Sequence, residues 1–388
     1  MYIILIGNYP NDQQESMLRF SETLHQGLIQ RGIACTKIAP QARWNKSTNA
    51  QPNKWLGHMD KMCVFPKTIK ETLAKHPRAL VHVCDHSNAF YTKLINDHPN
   101  LVTCNDMLAI KSALGHFQQN PVRFSGRVLQ GLIMRGLQRA HAITCISQKT
   151  QQDLIETLKI SREKTSVTYM GLNHSYSPMP KDEAQLKIKT LLPELFDSKR
   201  PYILHVGSDA WYKNRTGALH IYQALQLATR SEDRMVFVGP PPNKLMQILI
   251  KNYKISDRVF FIEKASNEEL CALYSNAELL LHPSFEEGFG WPILEALACG
   301  CRVATTNCAP MTEIGGTAAQ YIPKLDPNET KDIASWAHNC AAHIAGMIAQ
   351  DPDERKALCE LGVAQAKKFS TDTMIDNYIQ LYESIISA

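Results

Sequence analysis

Short runs of β-branched and other apolar residues alternate with longer helical patterns through most of this chain. In the first half these runs occupy Tyr2 to Ile6, Ala79 to Cys84, Leu101 to Cys104 and Ala142 to Ile146. Strands that alternate with helices indicate βαβ units and therefore a parallel sheet. The sequence predicts an α/β fold with a doubly wound sheet.

The alternation stops and then begins again. A proline-containing segment of mixed charge runs from Gly171 to about Pro201, and new apolar runs follow from Tyr202 to Val206 and as far as Val303 to Thr305. At 388 residues the chain is long enough for two domains. We predict a Rossmann-like domain over 1–175, a linker over 176–200, a second Rossmann-like domain over 201–372 and a final amphipathic helix over 373–388.

Composition excludes several classes of protein. Hydrophobic residues make up 44% and charged residues 20%, as in globular proteins, and no run approaches the roughly 20 apolar residues of a membrane span. The first apolar run lacks a basic start and ends at Asn8, so it indicates a buried strand rather than a secretory signal. The net charge of +5 is too mild for a nucleic-acid partner. Eleven cysteines without a Cys-x-x-Cys pair fit free thiols in the cytoplasm, which is the expected location.

The most informative segment runs from His282 to Gly300. A strand ends at a polar loop with Glu287, Gly288 and Gly290, and Pro292 then stands near the first helical position. A helix start presents free N–H groups and partial positive charge, and the two glycines let an anion approach the backbone. This pattern predicts a diphosphate site flanked by carboxylates that accept hydrogen bonds from sugar hydroxyls.

The same segment resembles the Glu-x7-Glu signature of the family-four retaining glycosyltransferases, which have the GT-B fold of two facing Rossmann-like domains. The match runs from Glu287 through Phe289, Gly290 and Trp291 to Glu295. The resemblance implies that Glu295 holds the nucleotide ribose. It implies that Glu287 and the amides of Phe289 and Gly290 hold the donor hexose. Two other interpretations of the segment are a dinucleotide fingerprint, which Ile293 disfavours in place of a third glycine, and simple helix capping by Glu295.

A second strand, glycine loop and helix lie at 202–215. Gly207 ends the strand, and Lys213 with Asn214 resembles the family's Lys-Asn pair, which implies that Lys213 grips the donor diphosphate. The arginine that usually lies nearby is replaced by Ser208 or Tyr212. Arg215 either substitutes for it or is a solvated surface arginine.

The first domain gives weaker signals. Ser16 either takes the place of a close-approach glycine or caps the first helix. His86 follows a strand end, where the resemblance implies a histidine near the donor sugar, with a helix-start histidine as the alternative. Asn105 stands where relatives often show histidine, and His82, within the strand, is expected to be a core residue.

Two further patterns bear on metal and membrane binding. Asp351-Pro352-Asp353 is formally an Asp-x-Asp metal motif, but a helix start explains it better, so no metal and no cofactor is expected. The stretch from Arg123 to Arg139 carries four arginines among apolar residues. It indicates either peripheral contact with a membrane or lipid-linked acceptor, or a solvated helix face.

The resemblance implies a retaining hexosyltransferase that uses a nucleotide-sugar donor and a sugar, glycan or lipid-linked acceptor. It also implies that the helix over 373–388 returns to the first domain. A nucleotide-sugar epimerase or phosphorylase of the same architecture is one alternative. A donor-binding module without transfer activity is another, because Ser208, Tyr212 and the first loop depart from the family pattern.

Overall fold

A computed structural model describes residues 1–12, 14–44, 54–195, 200–326 and 332–387 of the chain. The described residues form two compact units. The first contains residues 1–117, residues 121–173 and the terminal segment from Thr371, and the second contains residues 118–120 and 174–370.

The first unit is built on a parallel sheet. Its six strands are β1 (Tyr2–Ile6), β2 (Ala34–Ile38), β3 (Leu80–Val83), β4 (Asn100–Cys104), β5 (Ala142–Cys145) and β6 (Thr165–Val167). They lie in the order β2-β1-β3-β4-β5-β6, and every pairing is parallel. The central strands β3 and β4 are buried along their whole length, because helices cover both faces of a doubly wound parallel sheet.

Seven α-helices among the described residues of the first unit pack on this sheet or connect its strands. They are α1 (Glu15–Gln30), α2 (Lys54–Met59), α3 (Phe65–Lys75), α4 (Leu108–Ala113), α5 (Phe124–Arg139), α6 (Gln148–Leu158) and the terminal helix α15 (Thr371–Ser387). The helices α3, α5 and α6 pack on the sheet through buried apolar residues, among them Ile69, Ile133 and Leu154.

The terminal helix α15 packs on the first unit through its apolar stripe and two buried hydroxyls. Tyr382 Oη lies 2.7 Å from His82 Nδ1, and Tyr378 Oη lies 3.0 Å from Thr103 Oγ1. A β-carbon at Gly27 of α1 would stand 2.1 Å from Ile375 Cδ1, so the two helices cross closely at this glycine. His82 is a fully buried core residue, as its place within the strand indicates.

The second unit contains the other parallel sheet. Its six strands are β7 (Tyr202–Val206), β8 (Arg234–Val238), β9 (Val259–Ile262), β10 (Leu279–His282), β11 (Val303–Thr306) and β12 (Ala319–Ile322). They lie in the order β12-β11-β10-β7-β8-β9. Counted from β7, this is the 3-2-1-4-5-6 order of dinucleotide-binding Rossmann domains. The predicted fold class, with two doubly wound α/β sheets, is confirmed.

Eight α-helices in the described part of the second unit accompany its sheet. They are α7 (Lys181–Leu191), α8 (Arg215–Thr229), α9 (Lys244–Tyr253), α10 (Asn267–Asn276), α11 (Trp291–Ala298), α12 (Met311–Gly315), α13 (Ile333–Ile348) and α14 (Pro352–Ala366). The core between α8, α13 and the sheet includes Leu219, Tyr222 and Ile344.

The segment predicted as a linker over 176–200 is part of the second unit wherever the structure describes it. Helix α7 buries Ala184 and Ile188, and Lys187 Nζ lies 3.2 Å from Glu268 of α10. Prolines and mixed charge suggested a linker, but apolar residues four apart place one face of this helix on a neighbour. In the described part of the chain, no helix is both long and apolar enough to cross a membrane.

Candidate active site

The strand order of the second sheet reverses between the neighbouring strands β7 and β10. From this pair the chain builds outward to β8 and β9 on one side and to β11 and β12 on the other. Ligands of open α/β sheets bind beyond the carboxyl ends of the strands at such a switch point. The loops predicted to hold the donor follow these two strands, because Gly207 comes directly after β7 and Glu287 lies in the loop after β10.

The loop after β7 ends in a short helical turn, Trp211–Lys213, and a left-handed Asn214. The Asn214 side chain caps α8 by accepting the Gly217 N–H at 3.0 Å, and its amide donates to Pro283 O at 3.0 Å. Phe285 N–H donates to Tyr212 O at 2.8 Å. These bonds join the two loops and fix where the Lys213 side chain emerges.

Glu287 lies in a compact polar cluster. Its Oε1 accepts from Lys213 Nζ at 2.7 Å, from Ser284 Oγ at 2.9 Å and lies 3.0 Å from His282 Nε2. Burial by itself would raise the pKa of Glu287, but the Lys213 ammonium and the His282 contact outweigh it and lower this pKa to about 2. Glu287 is therefore a carboxylate throughout the physiological pH range.

The start of α11, where the sequence predicts a diphosphate site, follows a glycine in the left-handed region. Gly290 has φ +107° and precedes the helix without a side-chain cap, and its carbonyl accepts the Ile293 N–H at 3.0 Å. Pro292 has no N–H, so the start of α11 offers an anion mainly the positive end of the helix dipole. A side chain at Gly290 would be strained by this φ. Phe289 is buried, and its ring centroid lies 5.4 Å from that of Trp291 and 6.1 Å from that of Phe369. The side chain therefore anchors the loop by packing, and the hexose contact predicted for Phe289 concerns only its backbone amide.

Glu295 lies on α11 one turn beyond Gly290. The residue is 8% exposed, and Tyr274 Oη of α10 donates to its Oε2 at 2.9 Å. Sequence reasoning did not identify Tyr274, because nothing in the local pattern of α10 shows that its hydroxyl reaches α11. The tyrosine fixes the carboxylate that is predicted to hold ribose.

Arg215 is not a solvated surface arginine. Its side chain is 3% exposed, and its guanidinium donates to Asp209 Oδ1 at 3.2 Å and to Pro240 O at 2.5 Å. These contacts fasten the loop after β7 to the loop after β8. Gly207 lies beside the Lys213 stem, where an added β-carbon would stand 3.5 Å from Lys213 Cδ. Donor contacts of Arg215 and Gly207 remain predictions.

A second polar cluster lies at the carboxyl ends of β1, β3 and β4 in the first unit. Asp85 accepts hydrogen bonds from Asn8 Nδ2 at 2.6 Å and from Asn105 Nδ2 at 2.9 Å, and its Oδ1 lies 3.2 Å from His86 Nδ1. All four residues are at most 7% exposed. Burial would lower the pKa of His86, but the Asp85 carboxylate beside its Nδ1 outweighs it and raises this pKa. The cluster holds His86 as part of a hydrogen-bonded network.

Ser16 does not cap the first helix. Helix α1 begins at Glu15, and the side chain of its N-cap residue, Gln14, makes no capping hydrogen bond. Ser16 is exposed in the first turn. Its predicted contact with the donor stays a prediction.

The remaining motifs also have defined positions. Asp351 caps α14 by accepting the N–H groups of Asp353 and Glu354, each at 2.9 Å, as the helix-start interpretation predicts. The stretch from Arg123 to Arg139 coincides with α5 and leaves its arginines exposed.

Sequence reasoning did not assign roles to Asn8, Asp85, His282 or Ser284. A signal was available for each, since polar side chains stood at or just after the carboxyl ends of predicted strands. Which of them meet depends on strand order, and strand order was not predicted.

Two family models match the chain. The model described as "Glycosyltransferase Family 4" matches residues 19–176, and the model described as "Glycosyl transferases group 1" matches residues 190–322. The chain belongs to the family-four glycosyltransferases. The two matches fall on the first and second units, so the predicted family and the GT-B fold of this glycosyltransferase are confirmed.

Similar proteins support the same assignment. The O-antigen chain mannosyltransferase B of Escherichia coli is 26% identical over 66% of this chain and 64% of its own length. The match thus spans a little under two thirds of that relative. Sucrose-phosphate synthase from Thermosynechococcus elongatus has a TM-score of 0.75 at 18% identity, covering 100% of this chain and 99% of its own. Alr3699/HepE of Anabaena, solved in complex with UDP and glucose, has a TM-score of 0.67 at 17% identity, covering 99% and 100%. These two structures show the shared fold of the glycosyltransferase.

Proposed function

We propose that this glycosyltransferase moves a hexosyl group from a nucleoside-diphosphate sugar to an acceptor hydroxyl with retention of the anomeric configuration. The product belongs to glycan, polysaccharide or glycolipid synthesis. The observation that carries the proposal is the Lys213–Glu287 ion pair at the β7/β10 switch point, close in sequence to the uncapped start of α11.

The cluster supplies the two kinds of group that a sugar diphosphate needs. Lys213 provides a positive charge for the diphosphate, and the partial positive charge at the start of α11 adds to it. Glu287, as a carboxylate, accepts hydrogen bonds from hexose hydroxyls. Glu295, held by Tyr274, accepts them from the ribose.

In the proposed reaction the acceptor oxygen forms a bond to the anomeric carbon while the bond from that carbon to the diphosphate oxygen breaks. The departing phosphate takes the acceptor proton, so no protein base is required. Lys213 and the positive end of the α11 dipole stabilise the negative charge that develops on the leaving group. Glu287 Oε1 is already engaged by Lys213, Ser284 and His282, which favours positioning of the sugar over nucleophilic attack.

The relatives suggest which donors to test first. The Escherichia coli relative is named a mannosyltransferase, and the Anabaena structure holds UDP and glucose. We therefore place nucleoside-diphosphate mannose first in a panel of donors, followed by the corresponding glucose and galactose donors.

The test is incubation of the protein with each donor, with and without simple sugar and lipid-linked acceptors, followed by NMR of the products. Transfer or slow hydrolysis that keeps the donor's anomeric configuration is the expected result. Inversion at the anomeric carbon would contradict retention. Isomerised donor would indicate an epimerase, phosphate-dependent release of sugar phosphate a phosphorylase, and binding without turnover a donor-binding module.

A matched pair of variants connects the result to the site. Lys213→Ala is expected to abolish most turnover. Lys187→Ala removes a lysine of the same unit, which lies on α7 and pairs with Glu268 on α10. This variant should leave turnover unchanged. Equal activity of the two variants would overturn the role given to the cluster.

A further inference from the structure

Helix α5 leaves a large apolar surface exposed. Phe124 is 83% exposed, Val128 50% and Leu132 37%. The three residues are four positions apart, so they lie along one side of the helix. The opposite side carries Ile133, Gly136 and Leu137 into the core of the first unit. The exposed stripe therefore does not serve the packing of this unit.

Basic side chains accompany this stripe. Arg123, Arg127, Arg135 and Arg139 are all exposed, and the sequence from Pro121 to Ala140 contains no aspartate or glutamate. A solvated helix face usually mixes both signs of charge, as α3 does with Lys67 3.8 Å from Glu71. An exposed aromatic and aliphatic stripe among arginines alone is a different composition.

We propose that this face of α5, defined by Phe124, Val128, Leu132 and the four arginines, binds an anionic lipid surface. Apolar side chains of an interfacial helix enter the boundary between headgroups and acyl chains, while arginines meet the phosphates. The positive charge of the face is complementary to an anionic surface, and a neutral lipid surface offers it no such attraction. The proposal concerns the first unit alone and does not depend on the donor chemistry of the second.

Helix α5 is fixed in the fold at the same time. A β-carbon at Gly136 would stand 2.1 Å from Ala89 O, so the helix is pressed against the segment after β3, and Thr92 Oγ1 donates to Gly136 O at 2.9 Å. A helix held this way presents a preformed face, so binding requires no folding of the segment.

The experiment is co-sedimentation of the full chain with two kinds of vesicle. One contains phosphatidylcholine only, and the other contains phosphatidylcholine with about one third phosphatidylglycerol. Binding is expected only to the anionic vesicles and should weaken as salt is raised, because the interaction of charges with the surface is screened. Arg127→Glu with Arg135→Glu should lower the bound fraction at least tenfold, and Phe124→Ser with Val128→Ser should lower it at every salt concentration.

The control variant carries Lys70→Glu and Lys75→Glu, two exposed lysines of α3 in the same unit. It changes the net charge by the same amount as the arginine pair, and it should bind as the natural protein does. Equal loss in the control would reduce the effect to net charge and overturn the proposal. So would equal binding to both vesicles, or to neither. Thermal unfolding of each variant checks that the fold is kept, and hydrolysis of a free donor separates this outcome from that of the proposed function.

Discussion

Lys213 Nζ lies 2.7 Å from Glu287 Oε1, although the two residues are 74 positions apart in the chain. The pair joins the loops that follow β7 and β10, the two neighbouring strands between which the strand order of the second sheet reverses. Both side chains are largely buried, at 14% and 6% exposed. A charge pair placed at this point offers a ligand a cation, the Lys213 ammonium, and a hydrogen-bond acceptor, the Glu287 carboxylate.

Lys213→Ala should lower the turnover number by one to two orders of magnitude, because contacts with charge that develops in a transition state are often worth about 3 kcal/mol. The variant also leaves the buried Glu287 carboxylate without its ammonium, so its melting temperature should fall. Steady-state kinetics and thermal unfolding measure the two effects separately. A lower melting temperature with unchanged turnover would assign Lys213 a structural role only.

Glu287→Gln should impair use of the sugar donor more than binding of the bare nucleoside diphosphate, because only the donor carries the hexose hydroxyls. The difference is expected to be about 1.5–3 kcal/mol, the range for hydrogen bonds to charged groups. Calorimetry with both ligands gives the comparison. Glu286→Gln is the matched control, since Glu286 is the adjacent residue and pairs instead with Lys324 at 2.8 Å. Equal loss for both ligands in the Glu287 variant would rule out the hexose contact.

Glu295→Gln should weaken binding of the nucleoside diphosphate itself, again by about 1.5–3 kcal/mol. Tyr274→Phe removes the hydroxyl that donates to Glu295 at 2.9 Å and should produce a smaller loss in the same direction. A titration with nucleoside diphosphate, and with the free base as a ligand that lacks ribose, distinguishes a ribose contact from a general loss of fold. If the base is affected as strongly as the diphosphate, the ribose role is wrong.

The contact between His82 and α15 should make the first unit sensitive to acid. Burial lowers the pKa of His82 to about 3, below its ordinary value of 6.5. A buried neutral histidine stabilises the fold above the unfolded pKa and loses this contribution as pH falls from 6.5 toward 3. At pH 5, which is 1.5 pH units below the ordinary pKa, the free energy of unfolding falls by about 2 kcal/mol, at about 1.4 kcal/mol per pH unit.

The measurement is the unfolding temperature of the first unit between pH 4.5 and 7.5, followed by amide exchange in α15. His82→Gln should flatten the pH dependence, whereas His343→Gln, at an exposed position, should not. An unchanged slope in the His82 variant would show that another group controls acid stability.

Local sequence was sufficient where the chemistry is local. The strand, glycine loop and helix at 279–298 were predictable because Gly290 and Pro292 act on their own backbone, and because a buried strand and an apolar helix have distinct periodicities. The same reasoning gave His82 as a core residue and Asp351 as a helix cap. The family resemblance added roles for Glu287, Glu295 and Lys213 that spacing alone could not supply.

Tertiary structure decided what depends on strand order and on packing between distant segments. The order β12-β11-β10-β7-β8-β9 brings Lys213 to Glu287, His282 and Ser284. Packing buries Arg215 against Pro240, and it assigns α7 to the second unit. A sequence pattern shows that a face is apolar or that a loop is polar, but not which surface covers it. That choice is made by the whole fold, because the free energy of burial depends on area and shape and not on position along the chain.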